Sequence, residues 1–343
     1  MTKTNIFLTG ATGYIGGTVL SRFLKHPDVG SFNITVLVRS PEKAEKLKAF
    51  GVNPVVGSHS DTSLMENLTA QTDVVIAVAD CDDLVAAKAT LKGLKTRYQT
   101  SGIAPIFIHT SGTGVLADNA LGDNLPSTIY DDTNPDQLET LPDTQIHRDV
   151  ELELLNADKE GYVKAYIISP SMVYGIATGE LVEQGIQKAH SISIPWFVEI
   201  ALARGRAGMV GPGKNIWPNV DIQEVADIFV LLYNSIVSNP GTGHGREGVY
   251  FAANGEHDFY QVSKAIGEAL MSFGKVDDPE PTTLTKEEFD KYFWRGSTLI
   301  GTNCHAQANR ARSIGWTPVK TTKDFLESIK IEVEVLVGKS EKV

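Results

Sequence analysis

Short apolar runs, each followed by an amphipathic stretch, recur along the first half of this chain. Ile6–Leu8, Ile34–Val38, Val55–Val56, Val74–Val78, Ile106–Ile108 and Val163–Ile168 are continuous rather than alternating. That is the pattern of strands buried on both faces. Helical patterns lie between them. Ile15, Val19, Phe23 and Leu24 fall at helical spacing, and charged or amphipathic stretches run from Glu42 to Phe50 and from Asp83 to Tyr98. The alternation predicts a doubly wound α/β fold with a parallel sheet. After Pro170 the rhythm breaks. Ser171 to Pro218 is rich in Gly, Pro and aromatic residues, and helical patterns return at Ile222–Val237, Tyr260–Met271 and from Lys323 onward. The expected division is a sheet domain over 1–170 and a small, mostly helical substrate lobe over 171–343, interleaved with it.

Composition narrows the function. The chain has 343 residues and a formal net charge of -11, which argues against a nucleic-acid or anionic-membrane surface, since both need clustered Lys and Arg. No apolar run approaches the roughly 18 residues of a membrane span. The start of the chain enters a strand directly, without a signal-peptide pattern, so a cytoplasmic location is expected. Cys81 and Cys304 have neither disulfide-framework nor zinc-type spacing, so no metal is expected.

One motif carries chemistry. Thr9-Gly10-Ala11-Thr12-Gly13-Tyr14-Ile15-Gly16 follows the first strand and opens a helix. Gly10 permits a tight turn, Gly13 lets backbone approach a pyrophosphate, and Gly16 lets the helix pack on the sheet. The helix N-terminus adds amides and partial positive charge. This is the entry of a Rossmann dinucleotide site. At the end of the second strand stand Arg39 and Ser40, with Lys43 one turn on. Arg39 can fork a 2′-phosphate, so NADP(H) is expected over NAD(H); the alternative is that Arg39 is a solvated strand-end residue.

These residues, with four further segments, resemble the extended short-chain dehydrogenase/reductase superfamily, which includes the epimerases and dehydratases that use NAD. Ile106–Gly112 looks like the fifth strand and its Ser/Thr-rich end, and Ile168–Gly175 like the segment beside the nicotinamide. Trp217–Ile222 and Ser313–Pro318 look like two later signatures. The resemblance implies cofactor contacts from Gly10, Thr12, Gly13, Tyr14, Ile15 and Gly16, from the wall Ala77-Val78-Ala79, and from Ser58, Thr110, Pro170 and Val173. It also implies a small-molecule substrate. A homodimer is expected on the resemblance alone, because paired helices often dimerise members of the superfamily.

The likeness breaks at the catalytic centre. Gly112 stands where the family has Ser, flanked by Ser111 and Thr113. On a helix expected near Asp143–Asn156, His147 stands in place of the Tyr and Glu151 in place of the Lys. At i and i+4 these two would share a helix face, and could act as an acid with Ser111 or Thr113 as second donor; a surface His–Glu pair is the alternative. Trp196, Phe197, Trp217, Phe293 and Trp294 could wall an apolar substrate. Tyr130, in the long acidic loop Val115–Pro142, reads as a turn residue, and Asp131 and Asp132 read as solvated. The leading expectation is an NADP(H)-dependent oxidoreductase acting on a carbonyl, enone or imine of a small hydrophobic metabolite. The alternatives are an epimerase, dehydratase or isomerase that retains its cofactor, and a non-enzymatic redox sensor.

Overall fold

The computed structural model describes residues 3–123, 128–292 and 298–340. Its central sheet has seven strands: β1 (Thr4–Thr9), β2 (Phe32–Val38), β3 (Asn53–Val56), β4 (Val74–Ala77), β5 (Ile106–Thr110), β6 (Lys164–Pro170) and β9 (Val249–Ala252). A smaller sheet joins β7 (Met172–Tyr174), β8 (Ile216–Asp221) and β10 (Glu256–Asp258). The large sheet runs in the order β9-β6-β5-β4-β1-β2-β3, all parallel. The winding reverses between β1 and β4, which opens a crevice at their carboxyl ends.

Consecutive residues of a strand face opposite sides. Val75 and Ile76 are both fully buried, as are Phe107 and Ile108, so the sheet is covered on both faces. The cover comes from α1 (Tyr14–Leu24), α2 (Pro41–Lys48), α3 (Thr62–Thr69), α4 (Leu84–Ser101), α5 (Arg148–Lys159) and α7 (Ile222–Ser238); α1 packs on α7, and α4 on both α3 and α5. Between α5 and α7 the chain forms α6 (Ser193–Arg204), which packs with α8 (Phe259–Ser272) and α9 (Thr322–Ser340) as a helical lobe. A capping box at Asp258 and Gln261 starts α8. The strand β9, missed by the sequence reading, returns from this second half to the sheet edge, so the two parts are interleaved. Among the described residues no helix is long and apolar enough to cross a membrane.

The long loop before α5 is anchored rather than free. Tyr130–Asp131 pairs with Ala306–Gln307. Asp132, expected to be solvated, is buried instead. Its carboxylate accepts from the backbone amides of Phe251 at 3.0 Å and Arg310 at 2.7 Å. The loop is thereby tied to the sheet edge, because a buried carboxylate must find donors.

His257 carries a testable consequence. It is buried against Phe325 and Phe259, with Asn219 Oδ1 as its polar neighbour at 3.2 Å. Burial pushes its pKa down from 6.5 to about 3. The folded state holds it neutral while the unfolded chain protonates it below 6.5, so its contribution is present above that pH and is lost as pH falls toward 3. Urea unfolding at a series of pH values should show stability declining across that window, by up to about 1.4 kcal/mol per pH unit from this group. His257→Gln should flatten the slope; an unchanged slope would assign the decline to other groups.

Candidate functional site

The glycine turn is built by contact of backbone on backbone. Gly10 has φ +77°, and a Cβ there would meet the Val78 carbonyl carbon at 2.7 Å. A Cβ on Gly16 would sit 2.3 Å from the Gly10 oxygen. Gly13 caps α1 without a side chain, and the first turn of α1 has no acidic residue. Its leading amides are therefore free for an anion. Thr9 Oγ1 accepts from the amides of Val78 and Ala79, at 3.2 and 3.4 Å, holding the β1 and β4 ends together.

A cavity of about 610 Å³ runs from this turn to the end of β5. Of the expected cofactor residues, Gly13, Tyr14, Ile15, Gly16, Val78, Ala79, Thr110, Pro170 and Val173 line it. Gly10, Thr12, Arg39, Ser40, Ser58 and Ala77 do not. Buried Thr110 Oγ1 has no hydrogen-bond partner, so a polar atom is available at the wall for a polar ligand. The donor set and the glycine cradle fit a dinucleotide. The sequence reading missed a second segment. Gln187 Nε2 donates to Tyr14 O at 3.0 Å and to Thr18 Oγ1 at 2.7 Å, and the Lys188 amide donates to Thr12 O at 3.1 Å. Residues 187–188 thus strap the glycine turn, with Lys188 at the cavity wall. No motif spacing in the sequence marks them.

At the other end of the cavity the expected helical His–Glu pair takes another form. His147 is outside α5, in its N-cap position, with φ +70°. A left-handed backbone at a non-glycine residue ends the helix there and turns the ring away from the α5 face. Its Nδ1 lies 2.5 Å from Asp82 Oδ1 and 3.5 Å from Cys81 Sγ. Burial opposes its protonation, but Asp82 and Cys81 outweigh that and push its pKa to about 10. The other nitrogen, Nε2, faces Gly112 and Gly114, and a Cβ on Gly112 would be 2.9 Å from it. Gly112, the residue standing where the family has Ser, leaves the room that the imidazole fills.

Glu151 is buried and pairs elsewhere. Oε1 accepts from Ser111 Oγ at 2.7 Å, and Oε2 faces Arg148 Nη1 at 3.1 Å. Burial raises its pKa, against the lowering effect of Ser111 and Arg148. Ser111 and His147 line the cavity, whereas Glu151 stands behind Ser111. Thr113 is fully buried and is not at the cavity wall. Of the expected aromatics, Trp217 lines the cavity with Met172 and Leu299. Trp196 stacks on Phe197 and packs on the core, and Phe293 and Trp294 lie outside the described residues.

Comparison with known proteins agrees with this architecture. Residues 2–93 match the model of the NmrA-like family. A curated relative, the oxidase ucsJ of Acremonium sp., is 29% identical over 93% of this chain and 94% of its own. Among solved structures, a UDP-glucose 4-epimerase of Thermotoga maritima superposes with a TM-score of 0.65 at 16% identity, covering 97% of this chain and 100% of that one. A second UDP-glucose 4-epimerase, from Thermus thermophilus and in complex with NAD, gives 0.63 at 17% identity, covering 98% and 99%. At 16–17% identity these structures share the fold of this chain, and the family match lies over residues 2–93, which carry the glycine turn.

The expected preference for NADP(H) is overturned. Several structures of this fold hold NAD. The local reason lies in the donors counted on. Ser40 Oγ caps α2 by accepting from the Lys43 amide at 3.2 Å, and Lys43 Nζ donates to Ile186 O at 2.7 Å. Both are already engaged within the protein, and Arg39 is exposed.

The Gly112–His147 fit predicts a non-additive pair. Gly112→Ala should cost roughly 1–3 kcal/mol of stability by overpacking. In a His147→Ala background most of that cost should vanish, because the ring is gone. Additive effects in urea unfolding would show that the two residues are uncoupled.

Proposed function

We propose that this chain is an NAD(H)-dependent enzyme that moves a hydride to and from an oxygen-bearing carbon of a small molecule, keeping its cofactor through the cycle as an epimerase or dehydratase does. The observation that carries this is a single cavity lined at one end by the glycine turn and at the other by Ser111 and His147. The strap supports retention: Gln187 and Lys188 fasten the glycine turn from the second half of the chain, and Tyr14 adds a bond from its hydroxyl to Gly175 O at 2.6 Å.

Gly13, the amides opening α1, Lys188 and Thr110 are the residues that would hold the cofactor. Bound there, NAD(H) supplies the acceptor or donor of the hydride. The protein handles the proton. Ser111 passes its hydroxyl proton to Glu151 Oε1 and takes the proton of the substrate alcohol, leaving a carbonyl; the reverse transfer restores both groups. Burial favours the neutral form of Glu151, which suits a group that must hold this proton between steps. His147 Nε2–H donates a hydrogen bond to the substrate oxygen as charge builds on it.

A second reading, net oxidation or ketone reduction with free cofactor exchange, is favoured by the apolar wall of Met172, Trp217 and Leu299. It is also favoured by the name of the ucsJ relative.

The purified protein, denatured and examined by mass spectrometry, should release NAD. Mixed with a panel of nucleotide sugars and of lipophilic alcohols and ketones, it should show a transient nicotinamide absorbance with no net change. Stoichiometric accumulation of reduced cofactor would establish the second reading, and absence of binding to either NADH or NADPH would sink both. Once a substrate is found, Ser111→Ala and Glu151→Gln should each lower kcat about 10²–10⁴-fold. NADH affinity, read by calorimetry, should hold within a few-fold. Glu151→Gln should also remove the acid limb of the rate profile, which should lie above the ordinary carboxylate range.

A further inference from the structure

On the wall of the same cavity, three side chains of different ligand chemistry converge. Cys81 and Asp82 follow β4, and His147 comes from the turn before α5. One ligand atom from each of Cys81, Asp82 and His147 lies within 4.8 Å of the other two. His147 Nδ1 is 2.5 Å from Asp82 Oδ1 and 3.5 Å from Cys81 Sγ. Asp82 has a half-exposed side chain, so its oxygen is free to withdraw the roughly 0.8 Å that a tetrahedral cation between it and the nitrogen requires.

We propose that Cys81, Asp82 and His147 form a binding site for a zinc-class divalent cation. The chemistry of the set selects it. A thiolate and an imidazole suit zinc, cobalt or copper, whereas calcium and magnesium call for oxygen ligands. Three protein ligands leave a fourth position of a tetrahedral ion open. Cys81 and His147 both line the cavity, so the ion sits at its wall. The backbone is committed to this arrangement, since His147 holds a left-handed conformation that a residue other than glycine rarely adopts. Binding exchanges charges in a balanced way. The ion takes the place of the proton on Nδ1, and the Cys81 thiol releases its proton to solvent. Nε2 keeps its proton and its direction toward Gly112 and Gly114. The site is independent of the hydride-transfer reading, because cation binding can be seen without turnover.

Cobalt(II) gives the direct test. The full chain, first stripped with a chelator, is titrated with cobalt and followed by absorbance. The expected result is one equivalent bound, with visible bands of a tetrahedral ion and a near-ultraviolet sulfur-to-cobalt charge-transfer band; zinc should displace both. Cys81→Ser should abolish the charge-transfer band. Asp82→Asn and His147→Gln should each weaken binding tenfold or more. Cys304→Ser, at a buried thiol bonded to Thr113 O, should leave the spectrum intact. Circular dichroism of each variant separates loss of ligand from loss of fold. No saturable binding by the folded protein, or a charge-transfer band that survives in Cys81→Ser, would overturn the site.

Discussion

Everything at this site depends on one close approach of backbone to backbone. A Cβ on Gly16 would lie 2.3 Å from the carbonyl oxygen of Gly10, and one on Gly10 would lie 2.7 Å from the Val78 carbonyl. Helix α1 can therefore start directly above the end of β1, beside the end of β4. Its free amides point into the crevice that the reversal of strand order opens. Move α1 outward by the width of a methyl group and its amides leave the crevice, although β1 and β4 stay paired.

The end of the cavity near β5 follows the same logic of space. A tyrosine on α5 would reach the cavity from inside a helix. Here the ring-bearing residue stands one step earlier, where the left-handed turn swings it across Gly112 toward Asp82. Replacing the usual serine by glycine and the usual tyrosine by histidine are thus one change, not two: a side chain at 112 would occupy the place of the imidazole. The hydroxyl at the cavity wall is one residue back, on Ser111. With the lysine gone, the position at 151 becomes the buried partner of that serine, and Arg148 supplies the compensating charge.

The sequence made the scaffold legible because its signals are local. Continuous apolar runs mark strands buried on both faces, and the glycine spacing marks a turn whose sterics admit almost nothing else. β9 escaped notice because its four residues lie far beyond the strand–helix alternation of the first half, although Gly248 before it and Asn254-Gly255 after it are turn signals. That the glycine turn, Ser111 and His147 come to one cavity was legible from their order along the chain. The pairing of His147 with Glu151 was not, since a helical wheel assumes helix, and a single left-handed residue rotates the ring to a different neighbour. Arg39 misled in another way. A strand-end arginine has the chemistry for a 2′-phosphate, but whether its neighbours are free to help is decided by tertiary contacts, such as Lys43 reaching Ile186. Asp132 reads as a solvated turn residue because its donors, Phe251 and Arg310, are more than a hundred residues away.

Long-range closure also explains why no metal pattern is visible along the chain. Metal motifs are recognised when ligands sit a few residues apart on one element. Cys81 and Asp82 are adjacent, and their partner is 65 residues beyond Asp82, on the far side of α4 and β5. What joins them is the parallel sheet: β4 and β5 are neighbours, so the turns that follow them open on the same edge, and the chain returns to that edge just before α5. The crevice concentrates side chains from elements remote in sequence. A constellation there is therefore a property of the strand order, and it can change chemistry while the fold that holds it stays fixed.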